Sequence, residues 1–517
     1  MSDTTATATA TPALAPAPEL RAVGRAPEWD VAIIGAGPAG LAAAAAALDE
    51  GATVVVIDSA EQPGGQYWRH RSESAGIVDD GGLHHGWADY LRLRAAFDAG
   101  IAAARLRYFP ATSVWMARAD TASAADATGT AGETAPGFSL FLTPAYGPGP
   151  TEVPQVRGRR LVLTTGGYDR QVPVPGWDLP GVMAAGGIQG FVKQNGMLPG
   201  RRFVIAGTGP FLLPVAANIV QSGGSVAAVC ESADLTGWLP RAHRAAGVPE
   251  KGLEGAGYAW TFLRHRIPYR TRTVVTEILG NRSVEAVKIA RVGADGAVRP
   301  GSSRIIEGVD GVGLGWGFTP QLELPVQLGV RTYQDVDGSL VAEVDNEQHS
   351  SVDGLLLAGE ITGVGGAALA VLEGRIAGRV AAAEALDRRS MTPRSELTAI
   401  RHQRRFAEAM HLAHPVPGGW QDRLHDTTIV CRCEEVRAGE IRQAQQSLAG
   451  DDSRTQKGVT RAGMGWCQGR VCGFSVACMA TGPDATVPDP SSLAQTAKRP
   501  VAQPLPLGDL LDLDEPG

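Results

Sequence analysis

The sequence predicts an α/β chain built from two Rossmann-like units, followed by a small helical domain that carries a cysteine cluster. Three observations predict it. A β-type run at residues 31–34 leads into Gly35-Ala36-Gly37-Pro38-Ala39-Gly40 and an alanine-rich helix, and a second run at 53–57 ends at Asp58. The same order of strand, glycine loop, helix, strand and acid returns 172 residues later, at Gly207 and Glu231. Four of the six cysteines fall within residues 431–472.

The first unit has every part of a dinucleotide fingerprint. Gly35 permits the tight turn, Gly37 lets the backbone approach a pyrophosphate, and Gly40 permits close helix packing. The helix start offers free N–H groups and a favourable dipole to phosphate. Asp58, 23 residues after Gly35, is placed to accept hydrogen bonds from an adenosine ribose.

The second unit departs from that pattern. Gly207-Thr208-Gly209-Pro210-Phe211-Leu212 has leucine where the third glycine belongs. Glu231 at the end of the next strand favours a free ribose 2′-hydroxyl, hence NAD over NADP. Two readings stay open: a site for NAD or another adenine nucleotide, and a domain kept for structure.

Between the units, residues 119–136 read as a flexible loop between strands at 112–117 and 138–143, because they are mostly Ala, Thr, Asp and Gly. Residues 390–425 form a polar, partly helical connector with His-Pro and Pro-Gly-Gly breaks. From Ser491 onward Pro and Leu mix with acids, as in a tail. The histidines His84, His85, His402, His411 and His414 complete no recognisable metal or catalytic set and read as surface or loop residues.

The chain has 517 residues, which exceeds one compact core and implies about three or four domains. A net charge of −7 gives no support for nucleic acid or an anionic membrane as the main partner. No run reaches the roughly 18 apolar residues of a spanning helix, and the Ala/Thr/Pro-rich start is unlike a secretory signal, so a cytoplasmic protein is expected.

The cysteines fall as Cys431-Arg432-Cys433-Glu434 and Trp466-Cys467-Gln468-Gly469-Arg470-Val471-Cys472. Four thiolates suit zinc or a small iron–sulfur cluster, although a single residue between the first two is unusual for zinc. Arg432, Lys457, Arg461 and Arg470 would offset thiolate charge, or form an ordinary solvated basic face. Cys230 and Cys478 read as buried spectators. No cysteine pair lies in either glycine-loop unit, so a dithiol beside a flavin, as in thioredoxin reductases, is not expected.

Several segments together resemble the two-dinucleotide-domain flavoproteins. Pro63-Gly64-Gly65-Gln66 is similar to the segment that covers the flavin in that family. Thr164-Thr165-Gly166-Gly167-Tyr168-Asp169-Arg170 is similar to its return segment between domains. Leu355-Leu356-Leu357-Ala358-Gly359-Glu360 resembles the late strand whose terminal acid, usually Asp, meets the flavin ribityl chain; Gly363-Val364-Gly365-Gly366-Ala367 follows as a glycine-rich helix start. Residues 426–482, with thirty-three residues between Cys433 and Cys467, resemble the bacterioferritin-associated-ferredoxin-like domain, which implies a [2Fe–2S] cluster on Cys431, Cys433, Cys467 and Cys472.

The order of these parts resembles the FAD-containing α-subunits of heteromeric amino-acid and opine dehydrogenases, the group that takes in opine oxidase, hydrogen cyanide synthase and proline or hydroxyproline dehydrogenase α-subunits. That resemblance implies FAD and [2Fe–2S] as cofactors, an amino-acid-oxidase-like flavoprotein β-subunit as partner, and a downstream electron acceptor. It implies electron relay rather than substrate oxidation, with no catalytic acid or base assigned. The alternative is a self-sufficient NADH-dependent flavin/iron–sulfur reductase. A third reading is a nucleotide-binding scaffold with structural zinc. The expected organisation is a flexible N-terminus (1–28), a discontinuous FAD-binding domain (29–170 and 301–388), a second nucleotide-binding domain (171–300), a connector (389–425), the cysteine domain (426–482) and a tail (483–517).

Overall fold

A computed structural model describes residues 28–76, 81–120, 136–146, 153–245 and 247–505. Residues 1–27 and most of the loop expected over 119–136 lie outside the described residues. The strands flanking that loop are Thr112–Asp120 and Gly137–Pro144, and they pair antiparallel.

The first sheet orders its strands Leu106–Phe109, Val54–Ile57, Glu28–Ile34, Gln155–Leu163, Gly137–Pro144 and Thr112–Asp120, with Leu355–Leu357 joining parallel to Gln155–Leu163. In its central strands Ile33, Val54, Val56 and Leu161 are fully buried, as their unbroken apolar runs require for a sheet covered on both faces. The helix Pro38–Asp49 lies against it with every residue from Ala39 to Leu48 buried. The helix Ala367–Ala385 packs on that helix through glycines: a Cβ on Gly374 would stand 2.0 Å from the Ala39 carbonyl oxygen, and one on Gly378 2.1 Å from that of Ala43. Alanine and glycine on both surfaces let the two backbones touch.

The second sheet is parallel throughout, in the order Tyr269–Arg270, Ser225–Glu231, Arg202–Gly207, Gly311–Gly315 and Val182–Ala184. Antiparallel strands Thr273–Leu279, Ala286–Arg291 and Arg304–Glu307 lie beside it. The chain therefore returns to the first sheet later than residue 301. Gly311–Gly315 is the strand next to Arg202–Gly207, so the second unit keeps it by register.

The C-terminal part is a short hairpin, Ile429–Cys431 with Val436–Arg437, and four helices: Ala438–Leu448, Ser453–Thr460, Gly473–Thr481 and Pro490–Ala497. Asp452 and Asp489 cap two of them by accepting backbone N–H bonds. The expected tail contributes the last helix and docks on the first domain, where Leu493 and Ala502 join a core with Leu322 and Leu324. Residues 506–517 lie outside the described residues. Among the described residues, no helix is long and apolar enough to cross a membrane.

Candidate functional site

A cleft of about 1680 Å³ runs between the two sheets and reaches the C-terminal domain; Gly37, Gln66, Gly166, Gly209, Glu360 and Arg470 all line it. Single-ligand sites usually occupy about 300–1,000 Å³, so this one has room for more than one ligand.

The first glycine loop forms as its residues require. Gly35 has φ +102°, and a Cβ there would stand 2.5 Å from the Thr164 carbonyl oxygen. A Cβ on Gly40 would stand 1.8 Å from the Gly35 oxygen. Gly37 meets nothing closer than the Gly65 Cα at 3.8 Å, so its open side belongs to the cleft. The Gly64 N–H donates to the Ala36 carbonyl at 2.8 Å, which lays the cover segment over the loop. The Gln66 side-chain oxygen accepts from Arg69. Gly166 has φ +74° with open space where a side chain would be.

Asp58 lines the cleft but also braces the loop. Its carboxylate accepts the Ala36 N–H, and the Ala60 N–H at 2.6 Å. Burial pushes its carboxyl up, against the pull of those two donors.

At the late strand, Gly359 has φ +84° and Glu360 turns into the cleft. Glu360 Oε1 accepts the Gly366 N–H at 3.1 Å, whereas the buried Oε2 has no partner. Burial raises this carboxyl to about 7. An orphaned buried carboxylate oxygen beside a glycine cradle fits a hydroxylated cofactor chain such as the ribityl of FAD. The chain of Gly37, Gly65 and Glu360 along one cleft therefore fits the dinucleotide that the sequence implies.

Sequence reasoning missed the residues that hold this corner. Glu373, 1% exposed, accepts the Gly359 N–H at 3.0 Å and the Thr362 hydroxyl at 3.1 Å. Arg404 of the connector helix Arg394–Ala413 pairs with Glu373 and donates to the Gly363 oxygen at 2.7 Å. The one signal was Glu373 ending the apolar first part of a helix that also carries Arg375, Arg379 and Glu384. His411 meets this region through Nε2, 2.7 Å from the Val364 oxygen; an imidazole facing a carbonyl at that distance is the donor.

The second loop packs tightly at its first glycine, while Gly209 and Pro210 line the cleft. A Cβ on Gly207 would stand 1.6 Å from the Gly315 oxygen. Leu212, 1% exposed, lies against Gly315, so a strand glycine makes the room that the third loop glycine usually makes. Glu231 is fully buried, with Oε2 accepting the Gly209 N–H at 2.8 Å and Oε1 the Ala233 N–H at 2.9 Å. His414 Nδ1 stands 3.5 Å from Glu231, and Trp238 Nε1 donates to His414 Nε2 at 3.0 Å. His414 and His411 are thus packed against the site rather than at the surface, because the connector helix folds back over it.

The four cysteines come close enough together to perturb one another. Cys431 hydrogen-bonds with Cys472, which lowers the Cys431 thiol to about 6 and raises that of Cys472. Cys433 interacts with Cys467. Cys431 and Cys472 are buried, whereas Cys433 is exposed. The Gly463 N–H donates to Cys431 Sγ at 3.5 Å, and Gly465 has no room for a side chain against Cys433. Among the described residues, no three His, Cys, Asp or Glu side chains converge to hold one metal ion. Cys230 and Cys478 are buried, with thiols raised to about 12 by burial.

Between cleft and cysteines stands Arg470, two residues from Cys472. It donates to the Tyr168 hydroxyl at 2.8 Å, pairs with Glu323 at 2.9 Å and donates to the Ala502 oxygen at 2.8 Å. It is a half-buried tie, not part of a solvated basic face. Nearby, Phe474 lies under the Arg170 guanidinium, 4.3 Å from its carbon, and Ser475 donates to the Gln171 oxygen at 2.8 Å. Asp169 accepts the Gly186 N–H at 3.1 Å in the cleft, and burial raises its carboxyl to about 6.

This architecture defines a class. Residues 29–385 match the pyridine nucleotide-disulphide oxidoreductase family, and the chain belongs to it: it is an FAD-dependent oxidoreductase. Among its relatives, an opine oxidase subunit of Rhizobium meliloti is 33% identical, over 94% of this chain and 99% of that protein. Hydrogen cyanide synthase subunit HcnB of Pseudomonas aeruginosa is 33% identical, over 62% of this chain and 69% of that protein. The crystal structure of L-proline dehydrogenase from P. horikoshii shares the fold, with a TM-score of 0.62 and 18% identity, over 93% of this chain and 79% of that one.

Proposed function

We propose that this chain is the electron-transferring FAD and iron–sulfur subunit of a heteromeric amine, imino-acid or opine dehydrogenase, taking electrons from a partner flavoprotein subunit. The observation that carries the reading is the placement of the four cysteines on the flavoprotein body, with Arg470 reaching from beside Cys472 to the cleft-lining Tyr168. Gly35, Gly37, Gly40, Asp58, Gly65, Gln66, Gly166, Gly359 and Glu360 would hold FAD. Cys431, Cys433, Cys467 and Cys472 would hold the [2Fe–2S] cluster. When bound, the two cofactors would supply storage of an electron pair and its release one electron at a time. The chain's own part is positioning: Arg404 and Glu373 fix the Gly359 turn, and Arg470 locks the cysteine domain on the cleft. The relatives named as oxidase and synthase subunits support a partner chain.

The alternative, an NADH-dependent reductase, meets an obstacle at the second loop. Asp58 and Glu231 both accept two backbone N–H groups, but Asp58 lines the cleft whereas Glu231 is fully buried behind His414, which Trp238 holds. A ribose would have to displace that cover. We therefore expect anaerobic NADH to leave the flavin of the isolated chain oxidised, whereas amine substrate reduces it once the partner flavoprotein is added. Rapid flavin bleaching by NADH alone would favour the reductase.

A further inference from the structure

The helix Pro249–Arg264 packs one side against the second domain and leaves the other to solvent. Tyr258 and Phe262 are buried on its inner side, and the Tyr258 hydroxyl meets His85 Nε2 at 2.6 Å beside the cleft. The outer side should be polar, as on a surface helix that faces only water. Instead Trp260 is 65% and Leu263 72% exposed, and Gly252, Ala256 and Ala259 are exposed with them. At about 3.6 residues per turn these five positions fall within an arc of about 100°, clear of Tyr258 and Phe262. They form one apolar stripe along a helix of 16 residues, with Gly252 also bordering the cleft. Single exposed apolar residues need no explanation, whereas a continuous stripe with a tryptophan in it marks a contact surface.

The order of residues along the stripe suits a surface that meets itself. Its bulky side chains lie toward the C-terminal end and its small ones toward the N-terminal end and centre. Gly252 with Leu263, and Ala256 with Ala259, share one midpoint, so a single antiparallel register sets Leu263 of one copy over Gly252 of the other and Ala256 over Ala259. Charge follows the same plan. Glu250 is in the first turn and Arg264 in the last, and both are exposed. Among the described residues neither has an ion-pair partner. The helix dipole favours these signs at these ends, but it does not choose a side of the helix. By the same count Glu250 and Arg264 lie on the same side of the stripe. A twofold axis across the helix reverses its direction and keeps that side, so Arg264 of each copy comes beside Glu250 of the other.

We infer that the chain self-associates through this helix, a second copy packing its own Pro249–Arg264 antiparallel against it about a twofold axis. The inference does not rest on the electron-relay reading. A single helix pair is small beside the roughly 1,200 Å² of a stable interface, so the dimer forms in the micromolar range.

The test is sedimentation velocity of the full chain, carrying its own cofactors, from about 1 to 100 μM. The variants are Trp260→Glu, Glu250→Arg and Arg264→Glu, with flavin content and unfolding midpoint at wild-type values as the control of folding. The expected result is a monomer–dimer equilibrium in the wild type, weakened about tenfold or more in Trp260→Glu and by a smaller factor in either charge reversal alone. Mixing Glu250→Arg with Arg264→Glu should restore wild-type affinity, because a mixed pair sets arginine against glutamate at both ends. A wild type that stays monomeric to the highest concentration, wild-type affinity in Trp260→Glu, or no restoration in the mixture overturns the inference.

Discussion

On the proposed reading, Glu360 couples the fold to the flavin at the scale of one carboxylate. Its Oε2 is buried without a partner, and removing it should weaken flavin retention about tenfold in Glu360→Ala, the loss expected for one hydrogen bond to a charged group. Equilibrium dialysis against free FAD measures this. The same group gives a pH signature. Its folded pKa of about 7 lies above the ordinary 4.5, so the folded chain holds a proton that the unfolded chain has lost between those values. This group's contribution is fully present below 4.5 and is lost as pH rises through 7. In Glu360→Gln the fall in unfolding midpoint of flavin-depleted protein between pH 5 and 7.5 should be shallower than in the wild type, with the shares of Asp169 and His349 remaining. The position of this acid was legible in the sequence, because it ends an apolar strand followed by glycines. Its unmatched oxygen was not, because that depends on Glu373 taking up the neighbouring Gly359 N–H from a different helix.

Among the elements, the contact between Pro38–Asp49 and Ala367–Ala385 leaves no space for side chains at its glycines. Gly378→Val should destabilise the chain by about 1–3 kcal/mol or more through overpacking, read as a lower denaturant midpoint with flavin content falling in step. His349 ties three elements: its Nε2 meets Glu384 at 2.7 Å and its Nδ1 meets Asp345 at 3.1 Å, while Arg160 holds the other Glu384 oxygen at 2.9 Å. Donating to the Glu384 carboxylate, then to that of Asp345, raises His349 to about 9 from 6.5. This contribution is fully present below 6.5 and is lost as pH rises through 9. His349→Gln should therefore cost about 1 kcal/mol at pH 6 and almost nothing near pH 10, by urea unfolding. The strands and glycine loops were readable because their signals are local, as at Gly35, Gly40 and Asp58. The connector was misread at His411 and His414. Its helix is polar by composition, and only tertiary folding brings those rings onto Val364 and Glu231. The missing glycine at Leu212 was readable as a departure, but Gly315, the residue that accommodates it, lies on a distant strand.

For the whole molecule, the proposed electron relay depends on how the cysteine domain is held to the flavoprotein body. Arg470 is the main polar tie, with Glu323 buried behind it and Arg499 3.5 Å from the same carboxylate. Arg470→Ala leaves Glu323 with only the Tyr168 hydroxyl and Arg499 as partners and should cost about 1–3 kcal/mol. The expected readout is earlier proteolytic release of the C-terminal segment than in the wild type. That the C-terminal residues would dock was not legible: Pro, Leu and acids read as a tail, whereas Leu493 and Ala502 complete the apolar surface around Leu322. The measurement that tests the central claim most directly is the absorption spectrum of the chain purified without oxygen, with iron, sulfide and zinc counted per chain. The account predicts flavin bands together with about two irons and two sulfides. One zinc and no iron beside the flavin would contradict it and leave a flavoprotein with a structural metal.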